Sequence, residues 1–555
     1  MIDVFQALTV VAILAAALLS GNYLAPYLVR VYNGEPTRLD RFLDPIESRI
    51  YRLIGTSTSA TMGWKQYFFA ALFVNIAQMA IAFVILMLQG SLPLNPQGYP
   101  GLSWDLSFNT VVSFATNTNL QHYAGEVSLS YLSQISAIQF LQFTSAATGI
   151  CVMAAMVRGL RAGSTHMGNF YVDFVRSLTR VLIPLCFVAA LVLVALGVPQ
   201  TLNGYNTVTT IEGLPQVIYA GPVASLVSIM QLGTNGGGYF GANSAYPFQN
   251  PNPFTDILQI YLMLLLPTAL VFVFGRLLGK RSETVPVLIA TYGLFAIDLV
   301  IAFIPTLPTV GPGLETRFGG FFSTFWTVVT TAVTTGSVNA SLAGIHPLGI
   351  FSAFMGMLIQ ATPGGKGVGV MYMIMYIIIT VFVVGLMTGR TPEYLGMKIN
   401  ARDVKLVMVA FLIHPIIILV PTVLAYATKA VNAIPGFSSL PTSVGFTQIL
   451  YEFTSSAANN GSDFLGTAAN TPFFNVSTAV VIFVGRYGPI AVLLALSGSM
   501  MGRKRTTEVS LKTDSVIFSL VLIGSILLLV VLTFFPFLIL GPLLALFQGM
   551  VNFLG

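Results

Sequence analysis

The sequence predicts an all-α integral membrane protein, and its composition, its long apolar segments and the placement of its basic residues indicate this class. Of its 555 residues, 55% are hydrophobic and 8% are charged, whereas soluble globular chains carry about 25% charged residues. Apolar stretches of about 20 residues, the length of a membrane-spanning helix, recur along the chain. Helices are favoured because lipid requires each spanning segment to satisfy its own backbone hydrogen bonds.

We predict ten spanning helices from these stretches. They cover residues 4–27, 66–90, 132–157, 181–198, 255–275, 285–306, 368–388, 406–428, 475–498 and 516–540. The first is expected to be retained, because Asp3 and no basic residue precedes it, which is unlike a cleavable signal peptide.

The basic residues predict the orientation of these helices. All but four of the 25 lysine and arginine residues fall in alternate connections. The positive-inside rule places those connections in the cytoplasm and both termini outside. The net charge of +6 thus reflects membrane orientation, so the expected partner is the lipid bilayer and no nucleic acid. Cys151 and Cys186 lie inside apolar spans, and no disulfide, redox or metal role is predicted for them.

Each of the four long outer connections contains a short apolar segment followed by a polar turn. The segments are residues 106–115, 221–233, 321–333 and 444–458. The turns are Thr116-Asn117-Thr118-Asn119, Thr234-Asn235-Gly236-Gly237, Thr334-Thr335-Gly336-Ser337 and Asn459-Asn460-Gly461-Ser462. Segments this short cannot cross a bilayer, so we expect half-helices that enter the membrane and return. Internal repetition of this kind is common in channels and transporters.

This repetition divides the chain into six parts. Residues 1–60 form the first transmembrane helix and a cytoplasmic loop, and residues 506–555 form the last transmembrane helix. Between them lie four pore repeats, at 61–165, 166–280, 281–400 and 401–505, arranged around one pore.

The turns have the chemistry of an alkali-cation filter. Backbone carbonyls supply oxygen ligands without net charge, and glycine reaches the backbone angles that aim them at one axis. Half-helices direct the negative ends of their dipoles at the same place. None of the four turns contains a carboxylate, which favours a monovalent ion such as K⁺. A single such turn is more often an ordinary connection between helices, but four copies on one side favour the filter.

Four groups of residues spread over the whole chain resemble a known family. They are residues 113–121, residues 233–238 with 242–245, the segment Gly-Arg-Thr-Pro-Glu-Tyr-Leu-Gly at 389–396, and residues 455–462. The chain is similar in these stretches to the potassium-binding A subunits of Kdp-type potassium-transporting ATPases, in the superfamily of K⁺ transporters. The resemblance implies capture of extracellular K⁺ in the plasma membrane of a bacterium or archaeon. It also implies three partners, namely a catalytic P-type ATPase, the B subunit, which hydrolyses ATP, and the C and F subunits.

The resemblance assigns filter positions to Gln121, Gly236, Gly336 and Gly461, and it aligns Thr118 with the glycines. All residues of the four turns, with Gln121, are therefore candidate K⁺ ligands, and no other cofactor is expected. The chain itself is not expected to be an enzyme, because it lacks the Asp-Lys-Thr-Gly phosphorylation motif.

Four charged residues have two interpretations each. Arg486, below the fourth turn, is a barrier against leak or a structural ion pair or carbonyl clamp. Lys366, in a glycine-rich interruption of the third inner helix, is a gate or a side chain reaching a water-filled vestibule. Asp298 is a packing partner or, less favoured, an ion ligand. Arg390 anchors a cytoplasmic loop, and the family motif around it also makes it a candidate contact for the catalytic ATPase partner.

The function predicted is K⁺ binding and inward translocation within an ATP-driven pump. One alternative is an autonomous passive K⁺ channel or an ion-coupled K⁺ transporter with the same repeated pore. Another is a solute symporter, which would have two interrupted helices around an organic substrate instead of four matched turns.

Overall fold

The computed structural model describes residues 3–304, 313–505 and 512–548, and the regular secondary structure in them is almost entirely helical. Three predicted features fall at least partly outside the described residues: the end of the span at 285–306, the boundary at 506, and the two ends of the chain at residues 1–2 and 549–555. The helices are α1 (Val4–Asn33), α2 (Asp40–Ile54), α3 (Trp64–Leu88), α4 (Trp104–Ala115), α5 (Tyr131–Leu160), α6 (Phe170–Ala195), α7 (Val223–Leu232), α8 (Pro253–Leu278), α9 (Thr284–Phe303), α10 (Gly319–Ala332), α11 (Pro347–Ile359), α12 (Val368–Met387), α13 (Ala401–Ala427), α14 (Thr442–Ala457), α15 (Pro472–Met500) and α16 (Val516–Leu538).

Ten of these helices are long and apolar enough to cross a membrane, which confirms the predicted fold class. They separate into an inner and an outer set. In the most apolar 18-residue window of α5, 89% of the residues are buried, and in that of α8 78% are; in α1 only 17% are. Helices α5, α8, α12 and α15 therefore form the interior of the bundle, and helices such as α1 and α16 face lipid.

Each repeat consists of an outer helix, a half-helix, a turn and an inner helix. In the first repeat these are α3, α4 and α5; in the second, α6, α7 and α8. The third and fourth repeats follow with α9, α10 and α11–α12, and with α13, α14 and α15. Helix α15 of the fourth repeat packs against α4 and α5 of the first, which closes the four repeats into a ring.

Helix α6 begins well before the predicted span at 181–198. Asn169 caps it by accepting a hydrogen bond from the backbone N–H of Tyr171, and the helix runs from Phe170. Arg176 and Arg180, predicted to lie in a loop, are thus helical. The prediction missed this first part because hydropathy detects only the apolar part of a helix that extends beyond the lipid.

The third inner helix is interrupted, as the glycine-rich segment predicted. Helix α11 ends at Ile359, Gln360 takes a left-handed conformation with φ 56°, and α12 begins at Val368. Gly364 and Gly367 in the gap also have positive φ, 74° and 73°, which glycine adopts at little cost. The chain can therefore cross the centre of the bundle as an irregular segment.

The β-structure in the described part of the chain consists of two short antiparallel hairpins and one isolated bridge between Gln200 and Pro222. Strands β1 (Asn206–Thr209) and β2 (Pro215–Ile218) pair in the connection before α7. Strands β3 (Glu393–Tyr394) and β4 (Met397–Lys398) pair in the connection before α13.

Candidate functional site

The four polar turns begin in the same backbone conformation. In each turn the second residue after the half-helix has a positive φ: Asn117 at 70°, Thr234 at 42°, Thr334 at 46° and Asn459 at 51°. Non-glycine residues rarely adopt these angles. Their recurrence at one position indicates that the four turns are structurally equivalent, each at the C-terminal, negative end of a half-helix dipole.

The same comparison corrects the predicted alignment of the first turn. Two residues further along, Gly236, Gly336 and Gly461 occupy equivalent positions, and the latter two have φ 88° and 101°. In the first turn that position belongs to Asn119, with φ 61°, and not to Thr118. Asparagine tolerates the left-handed region better than other non-glycine residues because its short polar side chain bonds locally. The alignment through Thr118 was therefore wrong by one residue.

Backbone oxygens of the turns converge on one axis. A Cβ built on Gly236 would lie 2.7 Å from the carbonyl oxygen of Thr335 and 2.9 Å from those of Asn460 and Thr118. Each of these carbonyls belongs to a different turn. A Cβ on Gly336 would likewise overlap the carbonyl of Asn460. The turns thus surround a narrow common space that a methyl group would enter, and main-chain oxygens line it.

Side chains fasten the first turn to the second. The Asn117 amide donates to the carbonyl of Thr234 over 2.6 Å. Gln121 brackets Gly238, because its Oε1 accepts from the Gly238 N–H (2.9 Å) and its Nε2 donates to the Gly238 carbonyl (3.1 Å). Gln121 therefore connects the segments that follow the first and second turns.

Further hydrogen bonds complete the ring. The Asn459 amide donates to Oγ1 of Thr118 over 2.9 Å, which joins the fourth turn to the first. The Asn460 amide donates to the carbonyl of Thr330 over 3.0 Å, which joins the fourth turn to the third half-helix. Ser337 of the third turn donates to Oε1 of Gln231 in the second half-helix over 3.1 Å.

The other predicted turn residues lie in the same assembly. The hydroxyls of Thr116 and Thr118 are 3.0 Å apart, and Gln142 donates to the carbonyl of Gly237 over 2.8 Å. The Ser462 hydroxyl donates to the side chain of Asn460 over 2.5 Å. All the predicted turn residues are buried, and Gln121 is partly buried.

A buried polar cluster behind the turns was not predicted. His122 lies 2.7 Å from Oδ1 of Asn475 through Nδ1, and 3.1 Å from Oε1 of Glu452 through Nε2. It connects the segment after the first turn with the fourth half-helix and with α15. The only local signal was a glutamate in an otherwise nearly uncharged half-helix, and nothing in the sequence pointed to its partner.

Arg486 and the interruption of the third inner helix lie beneath the turns. The buried Arg486 guanidinium donates to the carbonyl of Ser145 over 3.2 Å, and no described carboxylate pairs with it. In the interruption, the N–H of Gly364 donates to the carbonyl of Ala332 at the end of α10 over 2.9 Å. The interruption also approaches α5, because a Cβ on Gly149 would meet both Arg486 and the backbone of Lys366. The space below the turns is therefore lined by a guanidinium and an irregular loop.

The remaining predicted charges lie in different surroundings. The Nζ of Lys366 is buried and has no hydrogen-bond partner among the described residues. Both carboxylate oxygens of Asp298 in α9 also lack a described partner, while Ser352 donates to the Asp298 backbone carbonyl over 2.8 Å. Arg390 is exposed on a connection between helices.

His414 links the helix interruption to the fourth half-helix. Its Nε2 lies 2.6 Å from Nε2 of Gln360, where α11 ends, and 3.0 Å from the carbonyl of Ala457, where α14 ends. The interruption is thereby connected to two of the four half-helices, α10 and α14.

The family model and the curated relatives that this chain matches all belong to one family. A family model described as "Potassium-transporting ATPase A subunit" matches residues 9–547. The potassium-transporting ATPase potassium-binding subunits of Alicyclobacillus acidocaldarius and Gloeobacter violaceus are 46% and 43% identical to this chain, and each alignment covers 97% of both proteins. The crystal structure of the potassium transporter TrkH from Vibrio parahaemolyticus has a similar fold, with a TM-score of 0.51, 16% identity, and coverage of 89% of this chain and 98% of that one. The chain therefore belongs to the family of potassium-transporting ATPase A subunits.

Proposed function

We propose that this protein binds extracellular K⁺ in a carbonyl-lined selectivity filter and passes it inward as the ion-binding subunit of an ATP-driven potassium pump. Membership of the family supports potassium transport, since its named relatives are potassium-binding subunits. The convergence of carbonyls from different turns around Gly236 is the observation that carries the filter assignment.

The filter consists of the carbonyls of Thr118, Asn235, Thr335 and Asn460, one from each turn. Neutral oxygens arranged around one axis replace the hydration shell of a monovalent cation. These four residues are fully buried, so their carbonyls lie inside the protein. The half-helix dipoles add negative potential without a fixed charge. K⁺ is the transported ion, and no resident cofactor is required.

Two buried hydroxyl oxygens also suit a cation. Oγ1 of Thr234 and Oγ1 of Thr335 have no hydrogen-bond partner among the described residues. Buried polar atoms are almost always paired, so unpaired oxygens beside a convergent set of carbonyls are available as ligands to an ion.

The path below the filter is closed to simple conduction. Arg486 places a positive charge beneath the turns, and Lys366 adds a second basic group in the interruption. The ion then leaves laterally, toward the partner that hydrolyses ATP. In this proposal the catalytic B subunit and the C and F subunits complete the complex, and Arg390 contacts the catalytic partner. Both termini face outward from the plasma membrane.

A substitution at Gly236 tests the filter. In Gly236→Ala the new methyl group lies within 2.7–2.9 Å of three carbonyl oxygens, so it occupies the space that the ion needs. We expect K⁺ affinity to fall at least tenfold, equivalent to about 1.4 kcal/mol. The measurement is the K⁺ dependence of the unfolding temperature and of ⁸⁶Rb⁺ binding by the purified chain.

Gly524→Ala in α16 is the matched control, because a Cβ there meets nothing within 4 Å. It should leave ion binding unchanged. Wild-type K⁺ affinity in folded Gly236→Ala would reject the filter assignment, and so would equal affinity of the unmodified chain for Na⁺ and K⁺.

A further inference from the structure

A cavity of about 630 Å³ opens on the side of the molecule that carries the basic connections. Its wall is formed by the end of α1, the segment after α2, the connection between α5 and α6, and the beginning of α6. Among its lining residues are Arg158, Arg161 and Arg176, with Thr58 and Thr165. No residue of the proposed filter contributes to it.

The charges in this cavity do not balance. Arg158 is neutralised, because its two terminal nitrogens donate to the two carboxylate oxygens of Asp173 over 2.6 and 2.9 Å. Asp173 is the one acidic residue among those lining the cavity. Arg161 is exposed. Arg176 is partly buried and donates through Nη1 to the backbone carbonyl of Val31 over 3.4 Å, and no described carboxylate forms an ion pair with either arginine. Two guanidinium groups therefore remain available to an anion.

The cavity lies at the level of a membrane surface. Its residues Gly34 and Thr58 flank α2, which leaves Phe42 (70%) and Leu53 (89%) exposed. Arg49 is also exposed on this helix. A helix that exposes both apolar and basic side chains lies along the interface between lipid headgroups and acyl chains.

Ion pairs hold α2 at this level. Arg180 of α6 pairs with Asp40 (2.5 Å), Asp44 (2.6 Å) and Glu47 (2.7 Å) of α2. Because α6 is one of the spanning helices, α2 and the cavity beside it have a fixed depth relative to the bilayer.

We propose that the cavity binds a phosphate group, supplied by an anionic phospholipid of the leaflet on the basic side. Guanidinium groups recognise phosphate through paired N–H donors, and the hydroxyls of Thr58 and Thr165 add further donors. In the orientation proposed above, this leaflet is the inner one. Inorganic phosphate offers the same chemistry from solution, so the two sources are separated by experiment.

The full chain is placed in nanodiscs of phosphatidylcholine, with or without phosphatidylglycerol, and a third sample receives inorganic phosphate in phosphatidylcholine alone. Native mass spectrometry counts retained lipids, and thermal unfolding reports binding. Retention of phosphatidylglycerol with a raised unfolding temperature supports the lipid. A raised unfolding temperature with inorganic phosphate alone supports the phosphate site with a soluble ligand. No response to either overturns the proposal.

Variants test whether phosphatidylglycerol binds in this cavity. Arg161→Gln should weaken phosphatidylglycerol binding about fivefold, the effect of one basic residue near an anionic surface. Arg161→Lys, which keeps the charge but loses the paired donors, should weaken it less. Arg52→Gln, on α2 but outside the cavity, is the matched control. Binding that Arg161→Gln leaves unchanged, or that Arg52→Gln weakens equally, would show diffuse attraction and overturn the assignment.

Discussion

Asn119 stands where three of the four turns have glycine, and it shows how the ring tolerates an unequal member. Its amide donates to Oδ1 of Asn235 over 3.0 Å, and its Oδ1 accepts from Gln142 over 3.2 Å. The first turn is thus held from behind by side-chain hydrogen bonds. The ring is quasi-four-fold in its backbone and asymmetric in its side chains.

This alignment predicts unequal effects of valine at neighbouring positions. Asn119→Val places a β-branched residue at φ 61°, which costs about 1–2 kcal/mol, and removes both hydrogen bonds. Thr118→Val keeps the shape of the side chain and loses one hydroxyl. We expect the unfolding temperature and the K⁺ affinity to fall further for Asn119→Val. A larger effect of Thr118→Val would restore the alignment inferred from sequence.

At the scale of single residues, the sequence predicted which residues form the turns better than it predicted how the four turns align with one another. Repeated Thr, Asn and Gly after short apolar segments located the turns, because few other settings require such residues at membrane depth. The alignment of Asn119 depends on where the half-helices end. Helix α4 ends at Ala115, as predicted, whereas α7, α10 and α14 end one residue before the predicted segments, at Leu232, Ala332 and Ala457. The pairing of His122 with Glu452 could not be predicted, because 330 residues separate them.

Among the elements, helices were predicted well where they are apolar and poorly where they leave the lipid. Helix α2 was not predicted at all, although it is amphipathic, because the predicted spans relied on long apolar runs. The interruption between α11 and α12 was predicted from its glycines. Its contacts with Ala332 and Gly149 depend on tertiary packing and required the structure.

The junction of α2 and α6 yields a stability prediction. Glu47 is 2% exposed and accepts from Arg180 through Nε (2.8 Å) and Nη2 (2.7 Å), and from Thr179. Glu47→Gln leaves the buried guanidinium of Arg180 with one fewer anionic partner. Breaking a buried pair costs about 3–5 kcal/mol of stability. Because two carboxylates still pair with Arg180, we expect a loss near the lower end of this range. Thermal unfolding in detergent measures it.

Asp44→Asn provides the comparison, because Asp44 contacts the same arginine while its side chain is 63% exposed. Exposed pairs contribute about 0–1 kcal/mol, so this change should lower the unfolding temperature little. Equal losses for the two variants would mean that burial does not determine the strength of this junction.

For the whole molecule, closure of the ring is what creates the site. No repeat holds all of the proposed ligands, and the space around Gly236 forms where α15 of the last repeat packs on α4 and α5 of the first. The same packing places Arg486 of α15 against Ser145 of α5. One closure therefore assembles both the proposed filter and the proposed barrier beneath it.

This coupling predicts how the isolated chain behaves in proteoliposomes. Repulsion raises the free energy of a K⁺ that passes within about 8 Å of the Arg486 charge by roughly 2 kcal/mol, at an effective dielectric constant of about 20. A barrier of this height slows passage about thirtyfold. The unmodified chain should therefore bind ⁸⁶Rb⁺ but, without its ATPase partner, pass it about thirtyfold more slowly than a chain that lacks this charge. Arg486→Gln should raise flux by about that factor, Arg486→Lys should remain closed, and Arg402→Gln, at an exposed position, should match the unmodified chain. Rapid flux through the unmodified chain, equal to that of Arg486→Gln, would instead identify an autonomous channel. If Arg486→Gln folds and does not leak, the arginine is not a barrier, and its role is structural, through the hydrogen bond to Ser145.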